Sequence, residues 1–255
     1  MTNKFILHKA IFDNQERLEE AEKLVRLNGL KPIIVSGHPI EVKNEQFAID
    51  LKGSIGLITL SWAKALKLFN FKDFHVTGYA EFLGQDFVNN KYVITSLYLL
   101  RDHKSSGELT EWIKEFGNGL GLFIKPNSGF KQFTGFTLTK DNLRELDSLT
   151  IGLHDLIVIA SAKTVIAEWR FWVINYKVNT YSGYSWTNQE TECTEEVHEF
   201  VLEVIKKIPY RQYTLDVGLV DYQGKIEPKV IELNSIYTSG TYKCDLDKLI
   251  KEFGL

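Results

Sequence analysis

The stretch "KVIELNS", residues 229–235, reads as a short strand near the end of the chain. Its apolar residues favour β structure: Val230, Ile231 and Leu233. Glu232 and Asn234 are two residues apart, so a strand presents both side chains on the same face. A carboxylate and a carboxamide placed in this way indicate either a solvent-facing surface or a site for a cation.

A second strand is expected beside this one. Asp216 lies within "TLDVGLV", and the turn "YQGK" folds that strand back, which puts Asp216 roughly opposite residues 230–232 unless Pro228 forms a bulge and shifts the register. Asp216, Glu232 and Asn234 then converge as the oxygen ligands that Mg²⁺ needs beside phosphates. Alternating polarity is also normal in antiparallel sheets, so the pattern alone leaves the surface interpretation open.

The segment "FIKPNSGFKQFTGF" is a basic, glycine-containing turn between two predicted strands. Lys125 ends the first strand, Gly129 and Gly135 loosen the turn, and Lys131 lies within it. Backbone N–H groups of such a turn bind phosphates while lysines neutralise the charge. The segment matches neither GxxxxGK[ST] nor GxGxxG, and an ordinary basic surface hairpin is the alternative.

The segment "AEWRFWVI" places two charged side chains on one strand face. Glu168 and Arg170 share that face, while Trp169 and Phe171 take the other. Arginine is the preferred residue for a forked phosphate contact. A surface ion pair of little energetic value is the other interpretation, and the segment leaves both open.

The order of elements predicts an α/β lobe followed by α+β structure. "KFILHK", "NQERLEEAEKLVRLNG" and "KPIIVSG" read as strand, helix and strand, which favours a parallel sheet. A helix "SWAKALKLFN", a strand "FHVTG" and a helix "YAEFLGQDF" complete a lobe of residues 1–100. Further on, "HDLIVIASA" predicts a strand, "TVIAEWRFWVINYKVNTYSGYSW" a pair of antiparallel strands, and "TEEVHEFVLEVIKKI" an amphipathic helix.

Composition excludes several classes of protein. The 255 residues carry a net charge of -3, so nucleic acid is not expected as the main partner. Cys193 and Cys244 form no CxxC motif, which indicates a reducing compartment and neither a disulfide framework nor a zinc site. No run approaches the roughly 18 apolar residues of a membrane span, and the N-terminus lacks a signal peptide. We expect a cytoplasmic protein without a membrane partner.

Taken together, the order of these motifs resembles the ATP-grasp superfamily, in which two α+β subdomains clamp ATP and Mg²⁺. "FIKPNSGFKQFTG", "EWRFWV" with "YSGYSW", and "LDVGLV…VIELNS" are similar to one phage- and bacteria-associated clade, named for two arginines and a lysine. The resemblance covers residues 85–242, and the first lobe fits a pre-ATP-grasp domain. It implies an N-terminal lobe (1–100), a lid subdomain (101–160) and a C-terminal ATP-grasp subdomain (161–255). The clade often has arginine where this chain has Lys125, and lysine keeps the charge without the fork.

The resemblance also implies a role for each candidate residue. The metal ligands would be Asp216, Glu232 and Asn234. Three basic groups would hold the phosphates, the last two of them also as catalytic groups: Lys125, Lys131 and Arg170. The turn around Gly129 would act as a lid, and Glu168 would contact the ribose or organise Arg170. A hinge would contact adenine through its backbone: Ile159, Ala160 and Ser161. The final polar loop would line the acceptor end: Ser235, Ser239 and Tyr242.

The activity implied is that of an ATP- and Mg²⁺-dependent ligase. It would join a carboxylate to an amine or another nucleophile through an acylphosphate, and the acceptor would be a small molecule or a peptide. A kinase-like phosphotransferase is a second hypothesis, distinguished by phosphate left on its acceptor. A non-catalytic nucleotide- or partner-binding module is a third, and such a module need not bind nucleotide in a metal-dependent way.

Overall fold

Three β-sheets organise the part of the chain that the computed structural model describes, namely residues 4–37, 54–59, 61–63, 79–88, 92–117, 119–127, 132–184, 192–222 and 224–253. The first sheet is parallel with the order β2-β1-β3: β1 Lys4–His8, β2 Lys31–Val35 and β3 Ile55–Leu57. Helix α1, Gln15–Leu27, connects β1 to β2. Asn14 caps α1 by accepting a backbone N–H. The predicted strand–helix–strand unit and its parallel sheet are therefore confirmed.

Two short helices follow, α2 (Tyr79–Leu83) and α3 (Gln85–Val88). The sequence predicted one helix here, and Gly84 divides it because its φ of 80° lies in the left-handed region that favours glycine. Of the predicted helix "SWAKALKLFN", only residues 61–63 are described, and they are helical. The predicted strand "FHVTG" lies outside the described residues.

The second sheet is antiparallel with the order β4-β7-β5-β6: β4 Tyr92–Ser96, β5 Leu122–Pro126, β6 Phe136–Leu138 and β7 Leu156–Ser161. Two helices, α4 (Leu97–Ser106) and α5 (Glu108–Glu115), follow β4 and meet at Gly107, whose φ is 87°. The short helix α6, Glu145–Ser148, precedes β7. Strand β4 thus pairs with β7 although it lies before residue 100, and the division into 1–100, 101–160 and 161–255 stays a proposal.

The third sheet is antiparallel with the order β11-β10-β8-β9: β8 Thr164–Ile174, β9 Lys177–Tyr184, β10 Gln212–Tyr222 and β11 Lys225–Asn234. Helix α7, Glu195–Lys207, covers one face of it. That face supplies fully buried side chains to one core: Trp169, Phe171, Leu215, Val217 and Leu233. The apolar face of α7 completes this core, so the polar side chains of the same strands face the other way.

The register of the third sheet brings distant sequence segments into line. Asp216 lies opposite Arg170 on β8 and opposite Glu232 on β11, which confirms the predicted hairpin. A bulge follows, since Val217 pairs with Val230 and Ile231 is left over. Pro228 pairs with Leu219 and is not the bulge, because an edge strand such as β11 accommodates proline within its ladder.

A last helix, α8 (Leu246–Phe253), was not predicted from the sequence. Its buried residues are Leu246, Leu249, Ile250 and Phe253. They pack in one core with Phe5 and Leu7 of β1 and with Trp172 of β8. The end of the chain therefore stabilises its beginning. None of the helices within the described ranges is both long enough and apolar enough to span a bilayer.

Candidate functional site

A row of charged side chains crosses the third sheet from β8 to β11. Arg170, Asp216 and Glu232 are direct neighbours in the register of three adjacent strands. Since side chains alternate along a strand, these three lie on the face opposite the Trp169–Phe171 core. The segments that the sequence analysis selected separately are thus brought together by strand pairing.

Arg170 and Asp216 form a buried, bidentate ion pair. Arg170 Nε donates to Asp216 Oδ1 at 2.7 Å, and Nη2 donates to Oδ2 at 2.6 Å. The exposed fractions of the two side chains are 4% and 0%. Arg170 Nη1 donates to the Gly240 carbonyl at 3.3 Å, and its guanidinium lies 5.0 Å from the Tyr242 ring centre. The guanidinium fork predicted for phosphate is thus directed at Asp216, a pairing that the sequence analysis did not foresee.

Glu232 and Asn234 are the oxygen donors nearest this pair. Asn234 Nδ2 donates to Glu232 Oε1 at 2.7 Å, and the same oxygen lies 3.9 Å from Arg170 Nη2. The Glu232 side chain is 31% exposed, whereas Asp216 is fully buried. Glu232 therefore has the more accessible carboxylate, and Asp216 lies behind it as the partner of Arg170.

This donor set fits Mg²⁺. The ion is usually bound by one or two carboxylates together with water and substrate phosphates, so one carboxylate with a neighbouring amide suffices. Across the described ranges, no group of three or more His, Cys, Asp and Glu side chains is arranged to hold a metal ion by itself. Any Mg²⁺ at Glu232 and Asn234 would thus depend on oxygens from its substrate.

Lys125 connects the second sheet to this row. Its Nζ donates to the carbonyl of Ile231, the bulged residue of β11, and lies 5.0 Å from the centre of the Tyr79 ring. Burial lowers the pKa of Lys125 to about 8, against the opposing effect of nearby carboxylates, chiefly Glu232. Glu168, the buried acid on the face of Arg170, also acts to raise this pKa. Lys125 is therefore a cation close to the whole acidic row.

An apolar cleft of about 200 Å³ lies between the second and third sheets. Its apolar lining includes Phe123 from β5, Val158 from β7, and Val165 and Ile231 from the third sheet. Of the predicted hinge, the side chains of Ala160 and Ser161 line the cleft. Ile159 instead packs in the core of the second sheet, between β4 and β5. A flat, mostly apolar ring system is the kind of ligand that such a cleft accommodates.

Two further lysines line the cleft, and the sequence analysis did not select them. Lys163 Nζ is buried without a hydrogen-bond partner among the described residues and lies 4.8 Å from the Tyr222 ring centre. Burial, then the charge of Lys229, lowers the pKa of Lys163 to about 8, while Glu227 acts in the opposite sense. Lys229 Nζ lies 3.4 Å from Glu227 Oε1. The position of Lys163 directly after the predicted hinge was the available signal.

A second cavity, of about 360 Å³, opens on the other side of the charged row. Its lining joins the first lobe to the final loop: Asp13, Thr59, Arg170, Asn234, Ser239 and Tyr242. Ser239 and Tyr242 are therefore placed at a cavity, as the resemblance implied, while Ser235 is buried and accepts a hydrogen bond from Ser239 through its carbonyl. Tyr242 has a φ of 44°, an uncommon value for a non-glycine residue. Gly129 and Lys131 lie outside the described residues.

The comparison with protein families identifies this arrangement. Residues 107–251, more than half of the chain, match the model of a family that is described as an ATP-grasp domain and is the second family of its clade. The chain belongs to this ATP-grasp family. The matched range contains the whole charged row and Lys125, so the family assignment rests on the part of the chain that builds the site.

Solved structures share the ATP-grasp fold over nearly the whole chain. A RimK domain ATP-grasp protein from Sphaerobacter thermophilus has a TM-score of 0.56 at 10% identity, covering 98% of each chain. The macrocyclase MdnC from Microcystis aeruginosa, bound to precursor peptide MdnA, has a TM-score of 0.52 at 10% identity and 99% coverage of both chains. D-alanine–D-alanine ligase from Bacillus anthracis has a TM-score of 0.50 at 11% identity, covering 98% of this chain and 97% of that one. At these identities the likeness establishes the fold alone. No curated protein matches the sequence significantly.

Proposed function

We propose that this chain is an ATP- and Mg²⁺-dependent ligase that joins a carboxylate to an amine or another nucleophile through an acylphosphate. The observation that carries the proposal is the position of Glu232 and Asn234. They lie beside the Arg170–Asp216 pair, with Lys125 and the apolar cleft on one side and the second cavity on the other. Oxygen donors and buried cations between two binding spaces suit phosphoryl transfer, which needs alignment and charge neutralisation more than a protein nucleophile.

Each residue has a defined task in this proposal. The cleft holds the base, with Ala160 and Ser161 at its hinge, and Lys125 neutralises phosphate charge. Glu232 and Asn234 hold Mg²⁺, which supplies charge stabilisation at the transferring phosphoryl group. Arg170, fixed by Asp216, presents positive charge to the second cavity. Lys131 and the turn at Gly129 are proposed to close over the phosphates and exclude water, and Glu168 to contact the ribose or to orient Arg170.

The bond changes balance in two steps. A carboxylate oxygen of the substrate attacks the γ-phosphorus, the bond to the bridging oxygen breaks, and ADP leaves. The amine nitrogen then attacks the acyl carbon, the carbon–oxygen bond to phosphate breaks, and inorganic phosphate leaves as the amine proton passes to solvent. Two relatives of the same fold, a macrocyclase and a D-alanine–D-alanine ligase, carry names that support ligation as the reaction class.

The first test measures thermal stability with and without ATP and Mg²⁺. Ligand at about 100 times its dissociation constant adds roughly 2.7 kcal/mol, a melting shift of several degrees. We expect a magnesium-dependent shift in the wild type and in Glu252→Ala, whose residue is exposed on α8, and none in Glu232→Ala. An equal shift in Glu232→Ala would contradict the proposed metal site. Phosphate left on a stable acceptor would instead indicate a kinase, and no nucleotide-induced shift would favour a binding module.

A further inference from the structure

The second cavity has the size of a small substrate. Its volume of about 360 Å³ is at the lower end of the range for ligand sites and suits a single amino acid or a very short peptide. Arg170 and Asn234 form one part of its wall, next to the proposed transfer site, and Asp13 and Thr59 come from the first lobe. The cavity therefore has a reacting end and a far end.

The reacting end has little unused charge. Arg170 gives both arms of its fork to Asp216 and contacts the Gly240 carbonyl with its remaining nitrogen. Thr59 Oγ1 shares a hydrogen bond with Ser61 Oγ at 3.2 Å, and Ser239 Oγ donates to the Ser235 carbonyl at 2.8 Å. Hydroxyl groups and one committed arginine supply polarity without providing an unpaired carboxylate.

Asp13 differs from these groups. It is the acidic residue that lines the cavity, it is exposed, and its carboxylate has no hydrogen bond or ion pair within the described part of the chain. Burial raises the pKa of Tyr242, and the charge of Asp13 adds to this effect, so the two side chains are electrostatic neighbours. Tyr242 in turn stacks on Arg170 at 5.0 Å. An accessible negative charge thus lies one aromatic ring away from the guanidinium.

We infer that the carboxylate substrate carries a cationic amino group, which Asp13 binds while the carboxylate lies at the Arg170–Asn234 end. The substrate class is then a free amino acid or a short peptide with a free amino terminus. The inference rests on the proposed ligase function and adds the specificity-determining residue. An ammonium held by Asp13 stays protonated and is not the attacking nucleophile, so it serves recognition only.

Hydroxylamine makes the activated acid measurable without knowledge of the natural amine. It attacks an acylphosphate to give a hydroxamate and phosphate, so the yield reports which carboxylate was activated. The probes are the protein amino acids, each compared with its N-acetyl form, which keeps the carboxylate and removes the cation. We expect hydroxamate and ADP from at least one free amino acid and about fivefold less at equal concentration from its N-acetyl form.

The Asp13→Asn variant keeps the shape of the side chain and removes its charge, and Asp141→Asn is the control on an exposed residue of the second lobe. We expect the KM of Asp13→Asn for the active amino acid to rise about fivefold with kcat nearly unchanged, and its activity on the N-acetyl form to stay as in wild type. Equal use of free and N-acetylated acids, or a KM unaffected by Asp13→Asn, overturns the inference. Failure of every acid also overturns it, and a retained magnesium-dependent ATP shift then shows that the nucleotide site of the proposed function still stands.

Discussion

At the scale of the residue, the Arg170–Asp216 pair is the feature with the largest energetic consequence. Both side chains are almost fully removed from water, and each is the chief partner of the other. Two buried charges in contact add little net stability, but removing one of them leaves the other charged and unpaired. The pair therefore works as a unit that positions positive charge beside Glu232.

We predict that Asp216→Asn lowers the free energy of unfolding by about 3 to 5 kcal/mol, because Arg170 loses its buried counter-ion. The measurement is urea denaturation followed by circular dichroism. Lys248→Met is the control, since Lys248 lies 3.4 Å from Asp245 in a pair whose side chains are 63% and 44% exposed, and its loss should cost less than about 1 kcal/mol. A loss below about 1 kcal/mol in Asp216→Asn would contradict the assignment of a buried pair.

Lys163 leads to a pH prediction at the same scale. Its pKa is about 8 in the folded chain against 10.5 for an ordinary lysine, so between these values the unfolded state binds more protons. Stability must then rise with pH across that window, and the contribution is absent below about pH 8. Lys125 adds to the slope in the same direction.

We therefore predict that Lys163→Met flattens the rise in unfolding free energy between pH 8 and 10.5, and leaves stability at pH 7 equal to wild type or higher. Urea denaturation across this range gives the slope. Lys140→Met, at an exposed residue, should keep the wild-type slope. Parallel curves for the wild type and Lys163→Met would show that Lys163 is not desolvated.

At the scale of the element, the sequence predicted what depends on local pattern and missed what depends on contact. The hairpin of β10 and β11 followed from alternating polarity and a glycine turn, which also placed Asp216 opposite Glu232. The bulge at Ile231 and the ion pair of Asp216 with Arg170 depend on packing across three strands, and no spacing rule contains them. Helix α8 was missed because its apolar residues have meaning only against the core around Phe5.

Gly135, directly before β6, determines the shape of the apolar cleft. A Cβ at this position would lie 2.7 Å from Cζ of Phe123 and 3.2 Å from Cβ of Lys125. The Phe123 ring lines the cleft, and the tip of a side chain moves more easily than backbone. Gly135→Ala would thus push the ring and narrow the proposed base site without unfolding the sheet.

We predict that Gly135→Ala weakens ATP binding about tenfold, measured by isothermal titration calorimetry in the presence of Mg²⁺. The double variant with Phe123→Leu should recover most of the affinity, because leucine lacks the atom that the new methyl group meets. Single and double variants with equal dissociation constants would show that the Phe123 contact does not control the site.

At the scale of the whole molecule, the cores cross the expected domain boundaries. Phe5 and Leu7 from the first sheet, Trp172 from the third sheet and Leu249 from α8 share one core. Both cavities are likewise built jointly, since Lys125 comes from the second sheet and Asp13 from the first lobe. A site assembled from all three sheets needs their relative positions to be fixed, and the shared core contributes to this.

The shared core leads to a prediction about cooperativity. Leu249 is fully buried, so Leu249→Ala should lower the free energy of unfolding by about 2 to 5 kcal/mol, whereas Leu202→Ala, at a residue 54% exposed on α7, should cost less than about 0.5 kcal/mol. Urea transitions followed by circular dichroism and by tryptophan fluorescence should coincide in wild type and both variants, because the core around Leu249 contains elements from both ends of the chain. An early, separate transition in Leu249→Ala would show instead that the first lobe and α8 unfold without the third sheet.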